Sequence, residues 1–115
     1  MDGAIKLMVK PLSVNQVWQG KRFKTPAYKS YEKLLLLTLP DIELPQPPFT
    51  LHLEFGVSSS LSDWDNPIKP FQDVLQKRYG FDDKNIMVGI VHKVRIPKGE
   101  EYISFKIEHY EESID

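Results

Sequence analysis

Residues 49–57 alternate strictly between apolar and polar side chains, and this pattern constrains the fold more than any other part of the sequence. The apolar positions are Phe49, Leu51, Leu53, Phe55 and Val57. Because successive side chains of a strand point to opposite faces of a sheet, the pattern predicts a strand with one buried face. A sheet that contains such a strand must be covered on that face by a second layer of structure.

Two amphipathic helices are predicted to supply that layer. Thr25 followed by Pro26 is typical of a helix start, and apolar residues at helical spacing continue as far as Leu39. Asn66 before another proline predicts a second start, with the asparagine as the helix cap. The apolar stripe that follows ends at Gly80, a residue type that commonly terminates helices.

Three further strands complete the predicted fold. Residues 4–10, 86–96 and 103–107 alternate in the same way, and the turn sequence at 97–100 predicts a β-hairpin between the last two. The predicted order is therefore strand, helix, strand, helix, strand, strand. We predict a single α+β domain over residues 1–115, in which two helices pack on one face of a mixed four-stranded sheet.

Composition excludes several classes of protein. The chain of 115 residues has no cysteine, which excludes a disulfide framework and a thiolate zinc site. The longest purely apolar run, Leu34–Leu37, is much shorter than the roughly 20 residues that a membrane span requires. The amino terminus has no signal-peptide pattern. We therefore expect a cytoplasmic protein that does not cross a membrane.

Charge is unevenly distributed along the chain. The net charge is −1, but residues 1–39 carry a balance of +5 and the remainder a balance of −6. Basic residues with interleaved aromatic residues, in and after the loop 18–24, could follow a DNA backbone and stack on bases. An exposed loop anchored by its aromatic side chains explains the same pattern. The basic residues concerned are Lys21, Arg22, Lys24 and Lys29.

Acidic residues bracket the second predicted helix. Asp63 and Asp65 precede it, and Asp82 and Asp83 follow it. Two carboxylates about 6 Å apart repel by about 3 kcal/mol at an effective dielectric constant of about 20, so a group of three or four calls for a cation. Oxygen ligands favour Mg²⁺ or Mn²⁺. The two ends of the helix share one site only if the strands bring their loops together, and the second acidic pair is equally compatible with a solvated turn.

Lys69 lies near the start of the second predicted helix, where a positive charge opposes the helix dipole at a cost of about 0.3–1 kcal/mol. A lysine at this place could hold a phosphate oxygen or stabilise a transition state beside the free amides of the first turn. The alternative is a solvent-facing lysine that pairs with Asp65 or Asp73. The sequence is compatible with both interpretations.

The spacing of these residues resembles that of the RusA family of Holliday-junction resolvases. The shared pattern has two aspartates one residue apart, an asparagine, a lysine one turn later and an acidic pair after the intervening helix. In this chain the pattern comprises Asp63, Asp65, Asn66, Lys69, Asp82 and Asp83. The likeness extends through Gly80-Phe81 and Lys98-Gly99 and, more loosely, to the amino-terminal loop with Asn15, so that nearly the whole chain is covered.

The resemblance implies a homodimeric endonuclease that hydrolyses phosphodiester bonds of four-way junctions in recombination and repair, with Mg²⁺, or with Mn²⁺ in its place. It implies metal-binding roles for Asp63, Asp65 and Asp83. It also implies a catalytic role for Lys69. We expect contacts with DNA at Asn15, Lys21, Arg22, Lys24 and Lys29.

The resemblance leaves substrate and activity open in three respects. The chain departs from the family pattern at Trp64, Pro67 and Pro70, so the substrate is either the four-way junction or a broader range of branched DNA. A non-catalytic module that binds branched DNA is a second hypothesis, against which the intact acidic residues argue. A metal hydrolase for small molecules is a third, against which the basic amino-terminal segment argues.

Overall fold

A mixed four-stranded sheet carries two helices on one face in the computed structural model, which describes residues 2–20 and 23–111. The elements are β1 (Ile5–Leu7), β2 (Trp18–Gln19), β3 (Phe23–Lys24), α1 (Pro26–Thr38), β4 (Phe49–Val57), α2 (Ile68–Tyr79), β5 (Ile86–Arg95) and β6 (Tyr102–His109), with 3-10 turns at Val14–Gln16 and Asp83–Asn85. The sheet has the order β1-β6-β4-β5, and β2 pairs with β3 in a separate short ribbon. The predicted α+β class, with its two helices and mixed sheet, is confirmed.

The predicted hairpin between the last two strands is wrong. β5 runs parallel to β4 along one side, whereas β6 runs antiparallel to β4 along the other, so that β4 separates them. The turn at 97–100 does form, with the Glu100 N–H donating to the Pro97 carbonyl over 3.1 Å. It joins strands that are not neighbours because α2 crosses from β4 to β5 and places them side by side as a βαβ unit.

The core lies between β4, β6 and the two helices. Phe71 of α2 is fully buried and meets Phe55 of β4 and Phe105 of β6 edge to face, with ring centroids 6.2 and 5.7 Å away. Leu35 of α1 is also fully buried in the same cluster. Burying such large side chains contributes about 1.5–3 kcal/mol each, so these contacts hold both helices against the sheet.

Helix α1 begins as the sequence predicts. The Thr25 hydroxyl accepts a hydrogen bond from the Tyr28 backbone N–H over 3.1 Å, which is an N-cap. The helix ends at Thr38 and contains the run Leu34–Leu37. Neither helix of the described residues combines the length and the apolarity that crossing a membrane requires.

Helix α2 begins differently from the prediction. Asn66 does not cap it: its side-chain oxygen accepts no backbone N–H of the helix, and its side-chain nitrogen donates to the Asp63 carboxylate over 2.8 Å. Pro67 occupies the N-cap position and makes no side-chain cap hydrogen bond, so the first helical residue is Ile68. The predicted end is confirmed: Gly80 adopts the left-handed conformation (φ 72°) that terminates helices.

Candidate functional site

The loop between β4 and α2 positions Asp63 and Asp65 at the carboxyl end of β4. The hydrogen bond from Asn66 orients the Asp63 carboxylate, and the first backbone N–H of α2 donates to the Asp65 carbonyl over 3.1 Å. Lys93 of β5 donates through Nζ to the Ser62 carbonyl over 2.7 Å. The loop is therefore attached both to α2 and to the neighbouring strand, while both aspartates remain exposed to solvent.

A cleft of about 400 Å³ separates this acidic loop from the amino-terminal loop. The Val14 N–H donates to the Asn66 carbonyl over 2.8 Å and joins the two walls. The polar side chains that line the cleft are Lys10, Ser13, Asn15, Gln16, Ser59, Ser62, Asp63 and Asn66. The structure therefore places the predicted DNA contact Asn15 in the same cleft as the predicted metal ligand Asp63.

A second groove, of about 320 Å³, lies on the other side of the Val14–Gln16 turn. It is lined by the charged residues Lys24, Lys69 and Asp73, together with the rings of Trp18 and Tyr28. Lys24 Nζ lies 4.5 Å from the centre of the Trp18 ring and 4.1 Å from that of Tyr28, distances at which a cation is attracted to an aromatic face. Burial, and then the hydrogen bond to Glu32, raise the pKa of the Tyr28 hydroxyl, and the charged groups of the groove are two lysines and Asp73.

Lys69 forms an ion pair with Asp73, one turn further along α2, over 2.6 Å. Asp65 and Asp73 are the two predicted ion-pair partners of a solvent-facing Lys69, and Asp73 is the one observed. Both side chains are accessible to solvent, and exposed pairs of this spacing contribute only about 0.3–0.5 kcal/mol. The ammonium group of Lys69 can therefore exchange Asp73 for a phosphate oxygen at little cost.

Asp82 and Asp83 lie at the opposite end of the sheet. β4 and β5 are parallel, and their register runs from Phe49 beside Ile86 to Val57 beside Arg95. The acidic pair precedes β5, whereas Asp63 and Asp65 follow β4, so the length of the strands, about 25 Å, separates them. Among residues 2–20 and 23–111, no three acidic, histidine or cysteine side chains are arranged to hold a metal ion. One chain therefore does not bring Asp83 to Asp63 and Asp65.

The two members of the second acidic pair have different environments. The Asp82 carboxylate accepts a hydrogen bond from the Lys84 backbone N–H over 3.0 Å and caps the following 3-10 turn. This hydrogen bond lowers the pKa of the Asp82 carboxyl below its ordinary value. Asp83 is the first residue of that turn and is exposed. Asp82 therefore caps this turn, whereas Asp83 begins it.

The remaining predicted DNA contacts are more scattered. Lys29 is exposed on α1 and lines neither cleft, and Lys21 and Arg22 lie outside the described residues. Sequence reasoning missed Lys10, which follows β1 and lines the cleft opposite the acidic loop. In the sequence Lys10 is a basic residue at the end of the predicted first strand, directly before Pro11.

Comparison with known proteins does not place this chain in a family: no protein-family model matches it, and a search of curated proteins gives no match.

Proposed function

We propose that this protein is a metal-dependent endonuclease that acts on branched DNA as a homodimer, as the resemblance to the RusA family implies. The observation that carries the proposal is the grouping at one end of the molecule. There the orientated carboxylate of Asp63 shares a cleft with Lys10 and Asn15, and the groove with Lys24 and Lys69 lies alongside. Carboxylates beside several phosphate-binding groups fit the hydrolysis of a phosphodiester bond.

The donor groups suit Mg²⁺ or Mn²⁺, since both ions prefer carboxylate and amide oxygens. Asp63 and Asp65 supply such donors within one loop, but Asp83 of the same chain is too far away to join them. We therefore propose that a complete acidic set combines Asp63 and Asp65 of one protomer with Asp83 of a second. When bound, the ion would activate a water molecule and neutralise charge on the scissile phosphate.

The other side chains have roles that follow from their positions. Asn66 holds the Asp63 carboxylate in one orientation through its amide. Lys69 would leave Asp73 and donate to a phosphate oxygen, where it would stabilise the charge that develops during cleavage. Lys24 is held by two aromatic rings and would contact the DNA backbone beside it, with the exposed Trp18 ring available to an unpaired base.

Cleavage of a labelled four-way junction tests this function directly. We expect the purified protein to nick the junction with Mg²⁺ or Mn²⁺, to leave a matched linear duplex intact, and to lose activity when a chelator is added. Binding should weaken steeply as salt rises, because contacts to phosphates release counterions. If neither the four-way junction nor a three-way or forked substrate is nicked in the presence of either metal ion, the proposed endonuclease is overturned.

Replacement of Lys69 by methionine separates its structural from its catalytic role. We expect Lys69→Met to change the free energy of unfolding by less than about 0.5 kcal/mol, because its ion pair with Asp73 is exposed. Cleavage of the junction should fall by about 10²-fold, the typical effect of removing one donor to developing charge.

Lys77→Met is the matched control, because Lys77 lies on the same helix and also forms an exposed ion pair, with Glu32 over 2.9 Å. Its cleavage rate should equal that of the wild type. Equal rates for Lys69→Met and Lys77→Met would show that Lys69 has no part in the reaction.

A non-catalytic module that binds branched DNA is the second candidate function. The observation in its favour is that one protomer separates the acidic residues by the length of the sheet. Such a module would bind the junction with equal affinity in Mg²⁺ and in chelator. Calorimetric titration with Mg²⁺ in the absence of DNA would then show no binding, whereas the proposed dimeric nuclease would bind the ion.

A further inference from the structure

Strand β5 forms a long, free edge of the sheet. It pairs with β4 on one side, and no strand of the described residues pairs with it on the other. The register shifts once near its start, and Val88–Arg95 then continues without interruption. Two large apolar side chains of this strand are exposed, Met87 by 52% and Ile90 by 40%. By contrast, β1 at the opposite edge has only three residues.

An exposed edge strand of this kind promotes pairing with other chains when the protein is a monomer. Natural proteins usually keep edge strands short, or place charges and prolines along them, because unpaired backbone groups invite pairing with another chain. The middle of β5 has none of these protections: Val88–Val91 contains no charge and no proline. An added Cβ on Gly89 would meet no atom within 4 Å, so no side chain covers that face of the strand at this point.

The charges at the two ends of β5 indicate which chain would pair with it. Asp82 and Asp83 precede the strand, with only Lys84 opposing them, and Lys93 and Arg95 lie at its end. A second copy in antiparallel orientation would set the acidic end of each strand beside the basic end of the other. A parallel copy would set like charges together, which costs energy. The charges of β5 and of the turn before it are therefore complementary about a two-fold axis.

We propose that two copies of this chain pair antiparallel through β5 and form one continuous eight-stranded sheet. An axis at Gly89, within the regular section Val88–Arg95, brings the turn with Asp82 and Asp83 before each strand to the end of the other strand, where Lys93 and Arg95 lie. The same axis brings the apolar residues Met87 and Val91 of the two strands together, and it removes the exposed edge from both copies.

The pairing also has a consequence for the acidic residues, and this part rests on the proposed function. Antiparallel β5 strands place the beginning of one β5 at the end of the other, where the loop after β4 begins. Asp83 of one copy would then lie about two strand spacings, or about 10 Å, from the β4 end that carries Asp63 and Asp65 of its neighbour. The pairing thus supplies the carboxylate that a single chain lacks.

The mass of the free protein in solution tests the pairing without DNA or metal. We expect the wild type to have twice the chain mass of 13.4 kDa by sedimentation equilibrium. Ile90→Lys should raise the dissociation constant of the dimer at least tenfold. Leu37→Lys is the matched control, because Leu37 is an apolar residue of α1 that is 75% exposed, and it should leave the dissociation constant unchanged.

Charge reversal tests the antiparallel register. Asp83→Arg and Arg95→Asp should each weaken the dimer, and the double variant should restore it, with circular dichroism confirming that every variant is folded. A wild-type monomer at tens of micromolar, or a dimer insensitive to Ile90→Lys and to both reversals, would overturn the inference. A dimer of the expected behaviour that cuts no DNA would overturn only the proposed function, and an active dimer insensitive to β5 variants would overturn only this interface.

Discussion

Asp65→Asn is expected to reduce metal-dependent cleavage of a four-way junction by about 10³-fold or more while leaving junction binding within about twofold of the wild type. Asparagine has nearly the same shape as aspartate but lacks the charge that a divalent cation requires, and a metal ion contributes several kcal/mol to such a reaction. Asp65 is exposed, and its contact with α2 is made by its backbone carbonyl, so the fold should be unaffected.

Asp41→Asn is the matched control, because it removes one negative charge from the surface without changing the proposed site. Asp41 is an exposed aspartate that pairs with Arg78, and it lines neither cleft. Rates of single-turnover cleavage at saturating protein, with binding measured by mobility shift in chelator, should separate the two variants. Equal cleavage by Asp65→Asn and Asp41→Asn would remove Asp65 from the mechanism.

Phe71→Ala is expected to destabilise the protein by about 3–5 kcal/mol, measured by urea denaturation. Phe71 is 0% exposed and packs against both Phe55 and Phe105, so the truncation leaves a cavity between α2 and the sheet. A domain of this size is stable by about 5–15 kcal/mol, so the change removes a large part of that stability.

Phe23→Ala is the matched control for Phe71→Ala. Phe23 is 68% exposed, and substitutions at such sites usually change stability by less than about 0.5 kcal/mol. A loss of stability in Phe71→Ala no larger than the small change expected for Phe23→Ala would mean that Phe71 is not the contact that fixes α2 on the sheet.

The elements that local patterns control could be predicted from the sequence. The strict alternation at 49–57 gives the bounds of β4, Thr25 marks the start of α1, and Gly80 marks the end of α2. Each depends on a few consecutive residues, either through the period of side-chain burial or through a capping hydrogen bond. The Asn66 cap was wrong because the helix begins one residue later than predicted, with Pro67 at the N-cap, and the Asn66 side chain is turned to the Asp63 carboxylate.

Pairing between strands could not be predicted in the same way. Alternation identifies the core-facing side chains of β6 but not those of β5, where Ile90 is exposed and Val91 packs on the core. It also does not show which strand lies beside another, and β4 separates these two. The position of Asp83 relative to Asp63 depends on that strand order, which no local pattern contains. The ribbon of β2 and β3 has two residues in each strand, too few to produce a recognisable period.

The parallel arrangement of β4 and β5 has a kinetic consequence for the proposed nuclease. Since α2 carries the chain back along the sheet, Asp63 and Asp83 of one copy point to different ends of the molecule. A newly synthesised chain would then be inert until it met another. At concentrations below the dissociation constant of the dimer, the rate of DNA cleavage would rise with the square of the protein concentration. The amount of protein in the cell would then control the activity.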